Sequence, residues 1–143
     1  MMKKHSEINW PQFIKHATQL VGTPYVFGAE TRLDDPDPTH VKELDCSELC
    51  EWLFAQVGIM VPDGVYNQFK ASSPITGEPL IGDLGFKWIP ETQSVHHVGI
   101  LIMPDKVIEA KGKAWGVVLT DRRVYEASPH FAMWRMLNAI RDT

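Results

Sequence analysis

Asp45-Cys46-Ser47-Glu48-Leu49-Cys50-Glu51-Trp52-Leu53 is the stretch on which the reading of this chain turns. A polar triplet runs into an apolar-periodic segment, with a cysteine at the junction. Leu49, Leu53 and Val57 recur at i, i+4 and i+8, the spacing of one helical face. Asp45 or Ser47 can cap the start. Glu48 stands three residues after Asp45, as in a capping box, and Gly58 follows the last apolar turn as a stop. Cys46 therefore falls at the first turn of a helix, where unpaired N–H groups and the positive end of the dipole gather. That setting favours thiolate over thiol and makes Cys46 a candidate nucleophile.

Around this stretch the composition is that of one globular domain. The chain has 143 residues, 44% hydrophobic and 22% charged, enough for a real core. The whole chain, 1–143, is expected to form a single domain without a separate wall-binding unit. A net charge of −4 with no basic block argues against nucleic acid and against electrostatic docking on a membrane. No apolar run is long enough to span a bilayer, and the basic start, Lys3-Lys4, has no apolar core behind it of the kind a signal peptide needs. The expectation is a chain made in a cytoplasm, carrying no address of its own, and a monomer. The two cysteines, Cys46 and Cys50, lie one helical turn apart, where a disulfide would distort the helix, so both are read as thiols.

Before the cysteine helix, Asn9 to Leu20 reads as a helix capped by Asn9 or Ser6, with Pro11 in its first turn and Phe13, Ala17 and Leu20 as its apolar stripe. Tyr25 sits in a short stiff segment between Gly22 and Gly28. Ala29 to Leu44 is polar and irregular, and Asp34-Asp35-Pro36-Asp37-Pro38 suits neither a helix interior nor a central strand. Its aspartates do not have EF-hand spacing, and it reads as a solvated loop beside the cysteine helix. After that helix, Val65 to Ala71 reads as one short helix and Ser72 to Gly82 as turns. Strands follow from Leu84 to Trp88, His97 to Met103, Val107 to Ala110, Val117 to Thr120 and Phe131 to Leu137. Helices first and strands after make the class α+β with an antiparallel sheet.

Thiol chemistry needs an imidazole to take the proton and a polar group to orient it. Of six histidines, His5, His16, His40 and His130 lie in polar, helical or terminal settings and read as surface. His96 and His97 stand at the mouth of an apolar strand. Alternation sends them to opposite faces, and His97, running straight into Val98-Gly99-Ile100, is the better base. Glu109 is a carboxylate inside Val107-Ile108-Glu109-Ala110, a segment otherwise fit for burial. The proposed hairpin sets it beside His97, which would give a thiolate–imidazolium pair at rest. Adjacent histidines that point apart argue against a zinc site built from Cys46, His96, His97 and Glu109, and no metal or cofactor is expected.

Pro24-Tyr25-Val26-Phe27-Gly28, Asp45-Cys46-Ser47, Gly82-Asp83-Leu84 and His97-Val98-Gly99-Ile100 occur in one order. In these elements the chain resembles the NlpC type of cell-wall cysteine peptidase, over roughly residues 9 to 137. The resemblance implies a papain-like fold, with the nucleophile at a helix N-terminus packed on a C-terminal antiparallel sheet. It implies Cys46 as nucleophile, His97 as base and acid, and the residue at Glu109 as third member. Tyr25 lines the oxyanion side, and Asp45 and Ser47 bind a free amino terminus. The substrate is then a peptidoglycan stem peptide or muropeptide, often cut between D-glutamate and a diamino acid. Three features depart from the pattern. Glu109 stands where many relatives carry histidine, Glu48 replaces a glycine of the usual Asp-Cys-Ser-Gly-Leu, and the loop from Ala29 to Leu44 is long. Rival readings on the same scaffold are an acyltransferase, thioesterase or amidase, and a non-catalytic copy that only grips a peptide. The setting is left open among a phage product, a secreted effector, a part of a larger assembly and an enzyme recycling wall fragments.

Overall fold

A computed structural model describes residues 2–141. A six-stranded antiparallel sheet is laid down in the order β2-β7-β3-β4-β5-β6. Its strands are β2 (Ser72–Pro74), β3 (Leu84–Ile89), β4 (Ser94–Met103), β5 (Lys106–Ala110), β6 (Val117–Asp121) and β7 (Phe131–Leu137). Three helices precede most of it: α1 (Trp10–Leu20), α2 (Cys46–Ala55) and α3 (Val65–Lys70). A fourth, α4 (Arg122–Ala127), interrupts the strand run between β6 and β7. Two short strands, β1 (Lys3–Lys4) and β8 (Ile140–Arg141), pair in parallel and tie the two ends of the described chain together. The α+β class and the antiparallel sheet are as the hydropathy pattern predicts.

The helices form where their signals stand. Asn9 caps α1 by accepting from the Gln12 amide, Pro11 occupies its first turn, and Phe13, Ala17 and Leu20 are fully buried. Two expectations are corrected here. His16, expected at the surface, is 9% exposed and packs edge-on to Trp52 with ring centroids 5.4 Å apart. Ser72–Pro74, expected as turns, pairs with β7 at Ser72↔Leu137 and extends the sheet.

Two layers of apolar side chains sandwich the sheet. On one face Leu49, Cys50, Leu53 and Phe54 of α2 pack with Phe13 and Leu20 of α1 against Val98, Ile100, Ile102, Ile108 and Ala110. Fully burying a leucine or phenylalanine is worth ~1.5–3 kcal/mol, so these contacts hold α2 firmly on the sheet. On the other face Leu101 and Val107 pack with Tyr125 of α4 and with Trp134. Tyr125 lies on a floor made by Gly85 and Gly99, which face each other across β3 and β4. A Cβ on Gly99 would come within 2.9 Å of the Tyr125 hydroxyl oxygen, and one on Gly85 within 2.9 Å of its ring. Two glycines side by side thus make room for an aromatic ring on that face.

The pairing of β4 with β5 runs from Met103↔Lys106 to Ile100↔Ile108. Beyond it, Gly99, Val98 and His97 continue paired to β3, while Glu109 and Ala110 continue paired to β6. The sheet forks at this point, and the first turn of α2 meets it there.

Candidate active site

The start of α2 is built by Asp45. One carboxylate oxygen, Oδ1, accepts from the Glu48 amide at 2.8 Å and from the Ser47 hydroxyl at 3.1 Å. The other, Oδ2, accepts from the Gly28 amide at 3.1 Å. Asp45 is thus both the helix cap and the tether for the Tyr25–Gly28 segment. Glu48 does not close the expected capping box. Its Oε2 accepts from the Thr31 amide at 2.7 Å instead and pins the loop after Ala29 to the helix. Farther along, that loop is held by the Trp52 indole N–H, which donates to the Asp35 carbonyl at 3.2 Å.

Cys46 is 8% exposed, and its sulfur lies against the Val98 amide, the one that joins His97 to Val98. Burial pushes the Cys46 thiol up to about 11; the Val98 amide works against this and the Asp45 carboxylate adds to it. Desolvation of the sulfur thus works against the expected thiolate at rest and outweighs the amides at the helix start that favour it. Cys50 is a free thiol, fully buried, and behaves as a small apolar residue.

His97 and Glu109 meet across the fork. His97 Nε2 is 2.8 Å from Glu109 Oε1, and the Thr120 hydroxyl donates to Glu109 Oε2 at 2.5 Å. Glu109 is 2% exposed. Burial resists its ionisation, but the bonds from His97 and Thr120 outweigh that and hold the carboxyl below its ordinary range. An ionised carboxylate only accepts, so Nε2 carries the proton of the shared bond. In the neutral ring the free lone pair is then on Nδ1. His96 turns the other way, is exposed, and stands edge-on to His130 with centroids 5.4 Å apart.

Three further residues frame this group, none of them visible as such in the sequence. The Tyr125 ring is 6.2 Å from the His97 ring between centroids, and its hydroxyl donates to the Gly85 carbonyl at 2.7 Å. The Lys87 ammonium sits over the Tyr125 ring, 4.5 Å from its centroid. Lys87 pairs with His97 across β3 and β4, so its charge lies on the Glu109 side of the sheet. Thr120 completes the Glu109 carboxylate. The facing glycines at 85 and 99 were the signal for Tyr125, and alternation along β6 was the signal for Thr120. Tyr25 is half-buried and bridges to Leu44, just before the Cys46 helix, and burial followed by the charges of Cys46 and Asp45 raises its phenol. His97 and Glu109 thus meet at the fork, where the Val98 amide meets the Cys46 sulfur, while Asp45 and Ser47 stand at the same helix start and Tyr25 bridges to Leu44 just before it.

The NlpC/P60 family model matches residues 22–135. Among curated proteins, none matches this chain. Several solved structures share the fold. The P60 domain of an antigen from M. avium subspecies paratuberculosis is 26% identical with a TM-score of 0.68, covering 93% of this chain and 93% of that one. A Staphylococcus aureus protein described as similar to a lipoprotein of the NLP/P60 family is 25% identical with a TM-score of 0.67 over 96% of this chain, which spans 43% of that longer protein. The peptidoglycan hydrolase RipB of Mycobacterium tuberculosis is 25% identical with a TM-score of 0.62, covering 90% of this chain and 65% of that one. The family match takes in Tyr25, the Cys46 helix, the fork and Glu109, and on that extent the chain belongs to the NlpC/P60 family.

Proposed function

We propose that this chain is a cysteine peptidase acting on the stem peptides of peptidoglycan, at the bond between D-glutamate and a diamino acid. The observation that carries the reading is one continuous series. Thr120 holds Glu109, Glu109 holds His97 through Nε2, and the peptide after His97 touches the Cys46 sulfur. The family membership and the naming of RipB as a peptidoglycan hydrolase support the choice of substrate.

The resting thiol sets the order of steps. With Nε2–H committed to Glu109, Nδ1 takes the thiol proton as the sulfur attacks the scissile carbonyl carbon. The imidazolium so formed is stabilised by the Glu109 carboxylate. The carbonyl oxygen becomes an oxyanion, met by the Cys46 N–H at the helix start and by the Tyr25 hydroxyl. One such donor is typically worth ~10²–10³ in rate. Collapse breaks the C–N bond, and Nδ1 gives its proton to the leaving amine. Water then attacks the thioester, its proton passing to Nδ1 and on to the sulfur as the acid leaves. Asp45 receives the free amino terminus of the stem peptide, with the Ser47 hydroxyl orienting its carboxylate.

Replacing Cys46 or His97 by alanine tests the reading. Each variant is expected to lose all hydrolysis of muropeptides while keeping the circular dichroism spectrum of the parent. Full activity in either one ends the proposal.

A further inference from the structure

α2 carries a second group of charged side chains. Glu48 and Glu51, on successive turns of α2, meet Asp63 from the turn before α3, and one oxygen of each lies within 4.8 Å of the others. Glu48 is 5% exposed and Glu51 7%, while Asp63 closes the cluster on the solvent side. Among the described residues no lysine, arginine or histidine forms an ion pair with any of the three. The Thr31 amide satisfies one oxygen of Glu48.

Glu51 is different. Its carboxyl is turned into the cluster, and its Oε2 is enclosed without a hydrogen-bond partner. The other oxygens within reach belong to carboxylates, which cannot donate unless a proton is held between them. A second enclosed oxygen without a partner lies next door. Gln68 is fully buried, and its Nε2 donates to the carbonyls of Ser47 and Pro62, the residues just before Glu48 and Asp63; its Oε1 is unmatched. A buried carboxylate oxygen such as Glu51 Oε2, with neither donor nor cation beside it, asks for a positive centre.

We propose that Glu48, Glu51 and Asp63 bind one divalent cation of calcium's size, which ties the first turns of α2 to the turn before α3. The donor set is all oxygen, which selects a hard cation. Hydration selects between the common hard cations. Mg²⁺ dehydrates reluctantly and usually keeps several waters, whereas Ca²⁺ accepts six to eight oxygens in flexible geometry. Glu48 and Glu51 are 5% and 7% exposed, which leaves little room for retained water and favours the larger ion. The rival occupant is a proton, since burial and then the neighbouring Glu48 and Asp63 push Glu51 up to about 9. The cation site stands on this cluster and on the unpartnered Glu51 oxygen, and does not depend on the peptidase reading.

The test uses the intact chain stripped with EDTA and titrated with CaCl₂, with MgCl₂ as comparator. Calorimetry is expected to show one Ca²⁺ per chain, and Tm is expected to rise with the logarithm of calcium concentration above Kd, by about 5–10 °C at a hundredfold excess. Glu51→Gln and Asp63→Asn are expected to fold and to lose both the heat and the rise. Asp63 is exposed, so its variant keeps the test open should Glu51→Gln fail to fold. Absence of any calcium heat or Tm shift up to about 10 mM would overturn the proposal in favour of a held proton. A rise of equal size in Asp63→Asn would overturn it as well.

Discussion

Glu109 is the residue at which the structure makes the sharpest demand. Its two oxygens are both engaged, Oε1 with His97 Nε2 at 2.8 Å and Oε2 with the Thr120 hydroxyl at 2.5 Å. Glu109→Gln keeps the volume and both contacts, because an amide oxygen still accepts from Nε2–H and the Thr120 hydroxyl can turn to accept from the amide. Only the charge is lost. A hydrogen bond to a charged group is worth ~1.5–3 kcal/mol against ~0.5–1.5 kcal/mol for a neutral one. The difference, about 1–1.5 kcal/mol, corresponds to a kcat about 5–15-fold lower. Glu109→Ala removes the bond altogether and frees the ring to turn, so its loss should reach about 10–150-fold. Neither variant should move KM much, since Glu109 faces His97 and not the substrate. The assay is steady-state hydrolysis of a synthetic stem peptide, with Tm recorded for each variant. A pH profile adds a second arm. The folded carboxyl is held below its ordinary range, so its contribution is present above the unfolded value near ~4.3 and is lost as pH falls through the folded value. Wild type should show this acidic limb and Glu109→Gln should lack it. A Glu109→Ala enzyme with parental kcat, or a Gln variant weaker than the Ala variant, would refute the orienting role.

The remaining expectations concern the thiol, the floor of the site and the cap. Alkylation of Cys46 by iodoacetamide in the free protein should speed up steadily with pH above neutrality, because burial holds the thiol up at about 11; a rate that is flat from pH 5 to 8 would show a preformed thiolate and contradict the structure. Gly99→Ala would set a methyl 2.8 Å from Val107 Cγ1 and 2.9 Å from the Tyr125 hydroxyl oxygen. It should cost ~1–3 kcal/mol in urea unfolding, and a variant as stable as the parent would remove Tyr125 from its assigned place. Asp45→Ala should lose ~1 kcal/mol or more as a cap. Asp45→Asn keeps the acceptor for the Glu48 amide and should restore Tm while KM for stem peptides with a free amino terminus stays raised. Unchanged KM in the Asn variant would take substrate binding away from Asp45.

Much of this arrangement is legible in the sequence. The α2 start could be read because Asp45, Cys46 and the Leu49–Leu53 spacing all point to one helix end, and His97 and Glu109 because a polar residue in an apolar strand segment stands out against period two. What escaped depended on contacts between distant segments. Arg122–Ala127 is a six-residue helix of mixed charge with no side-chain cap, too short for periodicity to show α4 or the role of Tyr125. His16 looks polar by type and is buried only because Trp52, 36 residues away, covers it. The first-turn position of Cys46 suggested an easily ionised sulfur, but the fork that receives the sulfur also excludes water from it. Glu51 drew no notice on its own, and gains meaning only when the chain returns with Asp63.

The proposed reaction is the opening of a peptide bond in murein by the sulfur at residue 46. Mass spectrometry of purified muropeptides incubated with the parent chain and with Cys46→Ala addresses it directly. Two fragments, separated between D-glutamate and the diamino acid, are expected from the parent, and intact muropeptide with the variant. Uncut muropeptide with the parent, or the same fragments from Cys46→Ala, would contradict it.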